Sequence, residues 1–226
     1  MSIKEKLTSL ADAIRSKTGT TELMSLDQMA SAIDNLNVES GDTDQIFISY
    51  LDNGSNVHSL PEGLTKIRNY AFYGCILLQL TELPESVTSI GKYAFYSCNQ
   101  LGLTSLPNGI TTIKENTFES CYNLPLQNLP ENLTSIGKNA FARCMNKLNI
   151  TIIPESVSTI ELNAFYYCGL KSITFKGQPT SIASNAFASC SNLTIINVPW
   201  AEGEVANAPW GATNATITYN YTGGTE

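Results

Sequence analysis

The chain has 226 residues, and its 42% hydrophobic and 15% charged residues exclude both a disordered chain and a coiled coil. The formal net charge of −7 provides no basic face for displacing counterions from phosphate, which argues against nucleic acid or anionic lipid as a partner. No window approaches the roughly 20 apolar residues that span a bilayer, so no membrane insertion is predicted.

The N-terminal residues lack the features of an export signal. Lys4 and Lys6 are followed by no continuous apolar stretch, so no secretory signal peptide is predicted. We therefore expect synthesis in the host cytoplasm, without export by that route.

Residues 1–36 space their apolar side chains as helices do and are predicted to form a helical hairpin. Gly19 is placed to end the first helix, and Ser25 with Gln28 forms a capping box for the second. Such a hairpin is too small to be stable alone, so we expect it to pack on a partner or on a copy of itself. The residues assigned to this assembly contact are Leu7, Leu10, Ile14, Met29 and Ile33. Residues 37–45 are predicted to be a polar linker.

Residues 46–199 are predicted to form one domain, in which a capping strand and turn at 46–54 precede a repeat of 22–24 residues. Each of six units has a phenylalanine three residues before a cysteine, an isoleucine five residues before that phenylalanine, and a small residue directly before it. A unit this short cannot bury its own apolar side chains, but stacked units cover one another. The sequence therefore predicts a solenoid with buried columns, and the structural core is Phe72, Cys75, Phe95, Cys98, Phe118, Cys121, Phe141, Cys144, Phe165, Cys168, Phe187 and Cys190.

Two strand-like pieces are predicted in each unit, as at 87–90 and 103–106, where aliphatic residues bracket Thr and Ser. Residues 91–98 between them are predicted to form one turn of helix. The fold class is therefore an α+β repeat.

Six cysteines would fit a disulfide framework or a metal site. All six occupy the same position in the repeat, however, and a straight ladder cannot converge on one tetrahedral ion. We predict reduced, buried thiols and no metal. His58 is the only histidine, no catalytic motif accompanies it, and it is predicted to lie at the surface. We accordingly predict no catalytic residue, no cofactor and no enzymatic activity.

Tyr70, Tyr73, Tyr93 and Tyr96 occupy two equivalent positions in the first two units and are predicted to cluster on one convex patch. Exposed aromatic side chains often mark contacts with glycans or proteins, so these four are the candidate ligand-binding residues. Partial burial against the neighbouring turn or the N-terminal segment is the structural alternative. A ladder of Thr and Ser on the first strand pieces is either a polar recognition face or plain solvated surface.

The pattern Leu-Pro-x-x-Val-Thr-x-Ile-Gly-x-x-Ala-Phe-x-x-Cys-x-x-Leu resembles the BspA-like leucine-rich repeats of bacterial surface proteins and of some protists. The resemblance covers about residues 60–199. It implies a right-handed leucine-rich-repeat solenoid with a strand-lined face. It also implies a role in adhesion, with a host surface protein or a glycan as ligand.

Residues 200–226 depart from the repeat and are predicted to form a short β cap. Trp200 and Trp210 are expected to cover the last Phe and Cys layer, and the alternation of Ile217, Tyr219 and Tyr221 with polar residues predicts a half-buried strand.

Both ends also resemble known proteins. Residues 10–33 and 199–221 are similar to the ends of phage and prophage structural proteins of Gram-positive bacteria. This resemblance implies a virion protein, either a decoration, a fibre or a tail-associated adhesion module, that contacts other virion proteins or itself through its N-terminal helices. The alternative is a bacterial cell-surface adhesin of the same repeat family.

Overall fold

The computed structural model describes residues 57–60 and 62–223. The predicted helical hairpin at 1–36, with the assembly residues Leu7, Leu10, Ile14, Met29 and Ile33, lies outside the described residues. The linker at 37–45 and the capping strand and turn at 46–54 lie outside them as well.

The described residues form a right-handed solenoid of about seven turns, in which each turn adds parallel strands to its predecessor. Six turns are the predicted units, and the C-terminal residues add a seventh. The strands are β1 (Lys66–Ile67), β2 (Ser89–Ile90), β3 (Thr112–Ile113), β4 (Ser135–Ile136), β5 (Ile152–Ile153), β6 (Thr159–Ile160), β7 (Ser172–Phe175), β8 (Ser181–Ile182), β9 (Ile195–Asn197) and β10 (Thr216–Thr218).

The first predicted strand piece is confirmed in all six units. β1 pairs with β2, and a second sheet has the order β3-β4-β6-β8. Each of these strands ends on a buried isoleucine, and the register places the isoleucines of successive units side by side, as in the Ile136–Ile160 pair. The inward isoleucine anchors the strand, while the residue before it faces outward.

The second strand piece forms regular strands only in the later turns. The sheet there has the order β5-β7-β9-β10. The prediction of a strand at 103–106 was wrong, because that segment makes too few ladder bonds: Gln127 N donates to Thr104 O at 3.0 Å. Pro107 follows directly and has no N–H to continue the ladder.

The predicted turn of helix at 91–98 is also wrong, and the described residues contain no helix. This segment is a series of turns in which alternate backbone N–H groups donate to carbonyl oxygens of the next unit. Phe95 N donates to Thr117 O at 2.9 Å, and Ser97 N donates to Glu119 O at 2.8 Å. The φ angles of Tyr93 and Ser97 are 57° and 58°, which an α-helix excludes.

The core contains a stack of six phenylalanine rings. Successive ring centroids lie 5.1 to 5.5 Å apart with interplanar angles of 2 to 11°. The cysteines form a second buried column beside the rings. The predicted core residues are thus all confirmed as buried.

The C-terminal turn closes this end of the core. β10 pairs with β9, and Ile217, Tyr219 and Tyr221 are half-buried while the residues between them are exposed, as predicted. Trp200 and Trp210 are buried, and their rings pack against Phe175 at 5.3 and 6.0 Å, while Phe187 N donates to Trp210 O at 2.9 Å. Phe175 in turn meets Phe187 edge-on at 6.5 Å.

Candidate binding surface

The four predicted tyrosines come together as two stacked pairs. Tyr70 and Tyr93 have ring centroids 5.0 Å apart at 7°, and Tyr73 and Tyr96 have centroids 4.7 Å apart at 6°. Tilted contacts of 5.8 to 6.5 Å join the pairs. We call these four residues the near cluster. It lies on the surface formed by the turns that contain the Phe-x-x-Cys motif, which we call the turn face.

The near cluster is both packed and accessible. Tyr70 and Tyr73 keep 45% and 37% of their surface exposed, while Tyr93 and Tyr96 are half-buried. Partial burial raises the pKa of Tyr73, with Tyr96 and Tyr70 adding to the effect. Burial, followed by the nearby Glu115, raises the pKa of Tyr93. The phenols of Tyr73 and Tyr93 are therefore available as hydrogen-bond donors at neutral pH.

The next unit ends the near cluster with polar residues at the same two positions. Asn116 follows Tyr93 in its column and donates through its side-chain amide to Glu119, which follows Tyr96. Partial burial raises the pKa of Glu119, whereas the Asn116 hydrogen bond and the nearby Arg143 act in the opposite direction. The Oδ1 atom of Asn116 is buried and has no hydrogen-bond partner among the residues that the structure describes.

An ion-pair ladder runs beside these columns. Glu115 accepts from Lys92 at 3.1 Å and lies 3.6 Å from Lys138. The Lys92 hydrogen bond is the main cause that lowers the pKa of Glu115, and the same bond raises the pKa of Lys92. In this ladder one carboxylate is thus shared by two lysines.

The sequence analysis missed a second aromatic pair on the turn face. Tyr166 shares the column of Tyr73 and Tyr96, and Tyr167 follows it, with ring centroids 6.2 Å apart. Tyr167 is 49% exposed. The signal was present, because Tyr166 directly follows its unit's phenylalanine, as Tyr73 and Tyr96 follow theirs.

The hydroxyls of the Thr and Ser ladder are used within the solenoid. Thr134 Oγ1 donates to Thr111 O at 2.9 Å, and Ser158 Oγ donates to Thr134 O at 3.1 Å. Since these hydroxyls are hydrogen-bonded within the chain, the bonds support the interpretation of the Thr and Ser ladder as plain solvated surface.

The geometry of the cysteine column indicates a structural role. Each thiol from the second unit onward donates to the phenylalanine carbonyl of the preceding unit, as Cys144 Sγ does to Phe118 O at 3.2 Å. Burial is the main cause that raises the pKa of four thiols well above its usual value: Cys98, Cys121, Cys144 and Cys168. No set of three metal-binding side chains converges anywhere in residues 57–60 and 62–223.

We expect these thiols to resist modification until the solenoid unfolds. Reaction needs both the thiolate and access. Burial denies access to all six thiols and raises the pKa of four of them, whereas a hydrogen bond with Cys168 lowers the pKa of Cys190. Ellman's reagent should label none of them in native buffer at pH 8 and all six after denaturation in urea. The variant Ser191→Cys, which places a thiol at an exposed position beside Cys190, should gain one rapidly reacting group. Rapid labelling of several thiols in the unmodified folded chain would contradict the buried ladder.

His58 is exposed, as predicted, and it precedes the first described strand.

Within the described part of the chain, no helix is long and apolar enough to cross a membrane.

Comparisons with known proteins identify the repeat. The family model described as the BspA type leucine rich repeat region matches residues 53–152 and 127–204, with six copies. These ranges together cover more than half of the chain. No curated protein matched, and none of the comparisons supports the phage-like resemblance of the two ends.

Three solved structures are similar. A leucine-rich repeat protein of T. pallidum is 29% identical with a TM-score of 0.52, over 66% of this chain and 74% of that one. A leucine-rich repeat protein from Bacteroides ovatus ATCC 8483 is 30% identical with a TM-score of 0.47, over 59% and 35%. A leucine rich cell surface protein from Faecalibacterium prausnitzii A2-165 is 27% identical with a TM-score of 0.48, over 60% and 43%. The chain thus spans about a third of the B. ovatus protein.

Proposed function

The chain belongs to the BspA-type leucine-rich repeat family, and on that premise we propose that it is a non-enzymatic binding protein whose contact surface is the turn face. The near cluster is the observation that carries this proposal. Four tyrosines are held in two stacked pairs, yet Tyr70 and Tyr73 keep more than a third of their surface open. Rigid, partly exposed aromatic side chains are typical of contact surfaces.

The chemistry of the described residues supports binding rather than catalysis. The thiols are buried, and the family fold is a repeat that presents a surface. Tyr and Asn side chains on the turn face provide hydrogen-bond donors and acceptors without an activated nucleophile.

Two settings for this binding protein are suggested by the sequence. The resemblance of residues 10–33 and 199–221 to phage structural proteins supports a virion component that displays the solenoid and is anchored by its N-terminal segment. The repeat family itself supports the second candidate, a cell-surface adhesin. Co-purification of the native chain with phage particles is expected in the first setting, and labelling of intact producing cells by an antibody to the chain is expected in the second.

The binding function is tested with fluorescently labelled full-length chain and a panel of intact Gram-positive cells. The double variant Tyr73→Ala/Tyr96→Ala should reduce retention on the cells at least about tenfold, because hot-spot aromatics contribute ~2 kcal/mol or more each. The matched control is Ile195→Ala, which removes a 47% exposed apolar side chain from β9 and should leave retention unchanged. Equal retention of the double variant and the unmodified chain would disprove the assignment of the near cluster.

A further inference from the structure

The turn face has a second aromatic contact beyond the near cluster. Tyr166 and Tyr167, which we call the far pair, lie three units after Tyr96. Backbone hydrogen bonds fix this spacing, since Ser97 N, Ser120 N and Arg143 N each donate to the residue in the Tyr96 column of the next unit, at 2.7 to 2.8 Å. At ~4.8 Å per unit, the far pair lies ~14 Å from the near cluster along the solenoid.

Three of these tyrosines occupy backbone positions that disfavour them. Tyr70, Tyr93 and Tyr167 have φ angles of 60°, 57° and 54°. Bulky side chains rarely adopt this left-handed region, whereas Asn, Ser and Gly do so more readily. Such residues occupy the same positions in most other units: Asn116, Asn139 and Asn163 in the first column, and Gly74, Ser97 and Ser120 in the second. The tyrosines therefore serve a purpose other than stability of the turn.

The stacking of the near cluster favours a polypeptide over a sugar as its ligand. Sugars bind aromatic side chains through the flat faces of the rings. In the near cluster each ring covers one face of its stacked partner, at centroid distances of 4.7 and 5.0 Å, so less flat aromatic surface is open to a sugar while the edges of the rings stay uncovered by the stacking. Edges and hydroxyls of tyrosine are what protein interfaces use, where tyrosine and arginine are the enriched residues.

Between the two aromatic contacts lies an unmatched positive charge. Arg143 is exposed, and it takes part in neither ion pair of the described residues, Lys92–Glu115 and Lys138–Glu115. The carboxyl of Glu119 acts on it electrostatically without forming an ion pair with it. A guanidinium in this position can take a carboxylate in two parallel hydrogen bonds.

We propose that the turn face binds an extended acidic segment of a partner polypeptide, an inference that rests on the proposed function. Apolar or aromatic side chains of that segment contact the near cluster and the far pair, and a carboxylate between them pairs with Arg143. An extended chain advances ~3.3 Å per residue, so the two anchor residues are about four or five positions apart in the bound segment.

The test uses a display library of random 12-residue peptides selected on the full-length chain. We expect enrichment of peptides with Asp or Glu between two aromatic or aliphatic residues that are four or five positions apart. Selection on Arg143→Glu should reverse the preference and enrich Lys or Arg at that site, whereas selection on Lys176→Glu, an exposed position outside the turn-face columns, should leave it acidic. Peptides whose charge does not change with Arg143→Glu would overturn the proposal.

Tyr167→Asn provides a second, independent measurement. Asn suits the left-handed backbone, so the midpoint of thermal unfolding should rise, while the affinity for a selected peptide should fall at least about tenfold. A purely structural role for Tyr167 would instead lower the midpoint and leave the affinity unchanged, and that result would overturn the proposal.

The two proposals fail in different ways. If the chain is retained on cells through the near cluster but an array of purified glycans captures it and the peptide library does not, the polypeptide ligand is wrong and the binding function stands. If the double variant Tyr73→Ala/Tyr96→Ala is retained on cells as well as the unmodified chain, the proposed function fails.

Discussion

Replacing Phe141 with alanine should lower the free energy of unfolding by ~3–5 kcal/mol. The Phe141 ring is fully buried and stacks on Phe118 and Phe165 with centroids 5.5 and 5.3 Å away. The neighbouring rings are held by the backbone hydrogen bonds between units, so they cannot collapse into the space that the ring leaves. A cavity therefore persists at the centre of the stack. Urea denaturation followed by circular dichroism measures the loss.

Two variants serve as controls for this prediction. Phe141→Leu keeps most of the side-chain volume and should cost less than about 1.5 kcal/mol. Leu162→Ala removes an aliphatic side chain of the adjacent unit that is 44% exposed, and it should change stability by no more than about 0.5 kcal/mol. A loss for Phe141→Ala as small as that for Leu162→Ala would mean that the stack relaxes and that the phenylalanine column is not a rigid core.

The core could be predicted from the sequence because the residue types that recur in every unit are the ones that pack in the interior. A buried column accepts one size of side chain in each unit, so Phe, Cys and Ile recur while surface positions vary. Thr117 is the instructive exception. It takes the place of the small alanine, and its buried Oγ1 lies 2.9 Å from Lys114 O and 3.2 Å from Gly91 O, so its single proton is donated to one of these carbonyls or shared between them. A polar residue fits the column because it is small and fully hydrogen-bonded.

The turn geometry could not be predicted from one unit, because its hydrogen bonds go to the next unit. Within residues 91–98 alone, the spacing of Ala94 and Phe95 is compatible with a helix. The bond from Phe95 N to Thr117 O exists only once the units are stacked. The recurrence of Asn and Ser at the left-handed positions was the available signal, since these residues tolerate positive φ.

The second sheet was only partly predictable, because strand formation there depends on a donor in the next unit. Lys176 N donates to Ile153 O at 3.0 Å, whereas the equivalent position is a proline in the preceding units, as at Pro107, Pro130 and Pro154. The near cluster was predictable because its tyrosines repeat in adjacent units. The far pair was missed because two units with Glu119 and Ala142 in the same column separate it from the near cluster.

The uneven spacing of the cysteines comes from two neighbouring units that differ in the length of the segment after the cysteine. Leu148 follows its cysteine by four residues and Leu170 follows its cysteine by two, while the other units use three. Both leucines are nevertheless buried in the same column. The shorter path in the fifth unit brings Gly169 against the backbone of Met145, and a Cβ atom at Gly169 would lie 2.0 Å from Met145 O.

Gly169→Ala should therefore destabilise the solenoid by at least about 1–3 kcal/mol, measured by urea denaturation. The obstructing atom belongs to the backbone, so no side-chain rotation relieves the overlap, and Gly169 N is already bonded to Cys144 O at 3.2 Å. Gly102→Ala is the matched control, because its Cβ would meet the flexible Thr81 Cγ2 at 3.3 Å, and it should be nearly neutral. If both variants were equally stable, residues 145–147 would have to shift freely. The close contact would then be a consequence of the short loop rather than the reason that glycine is required there.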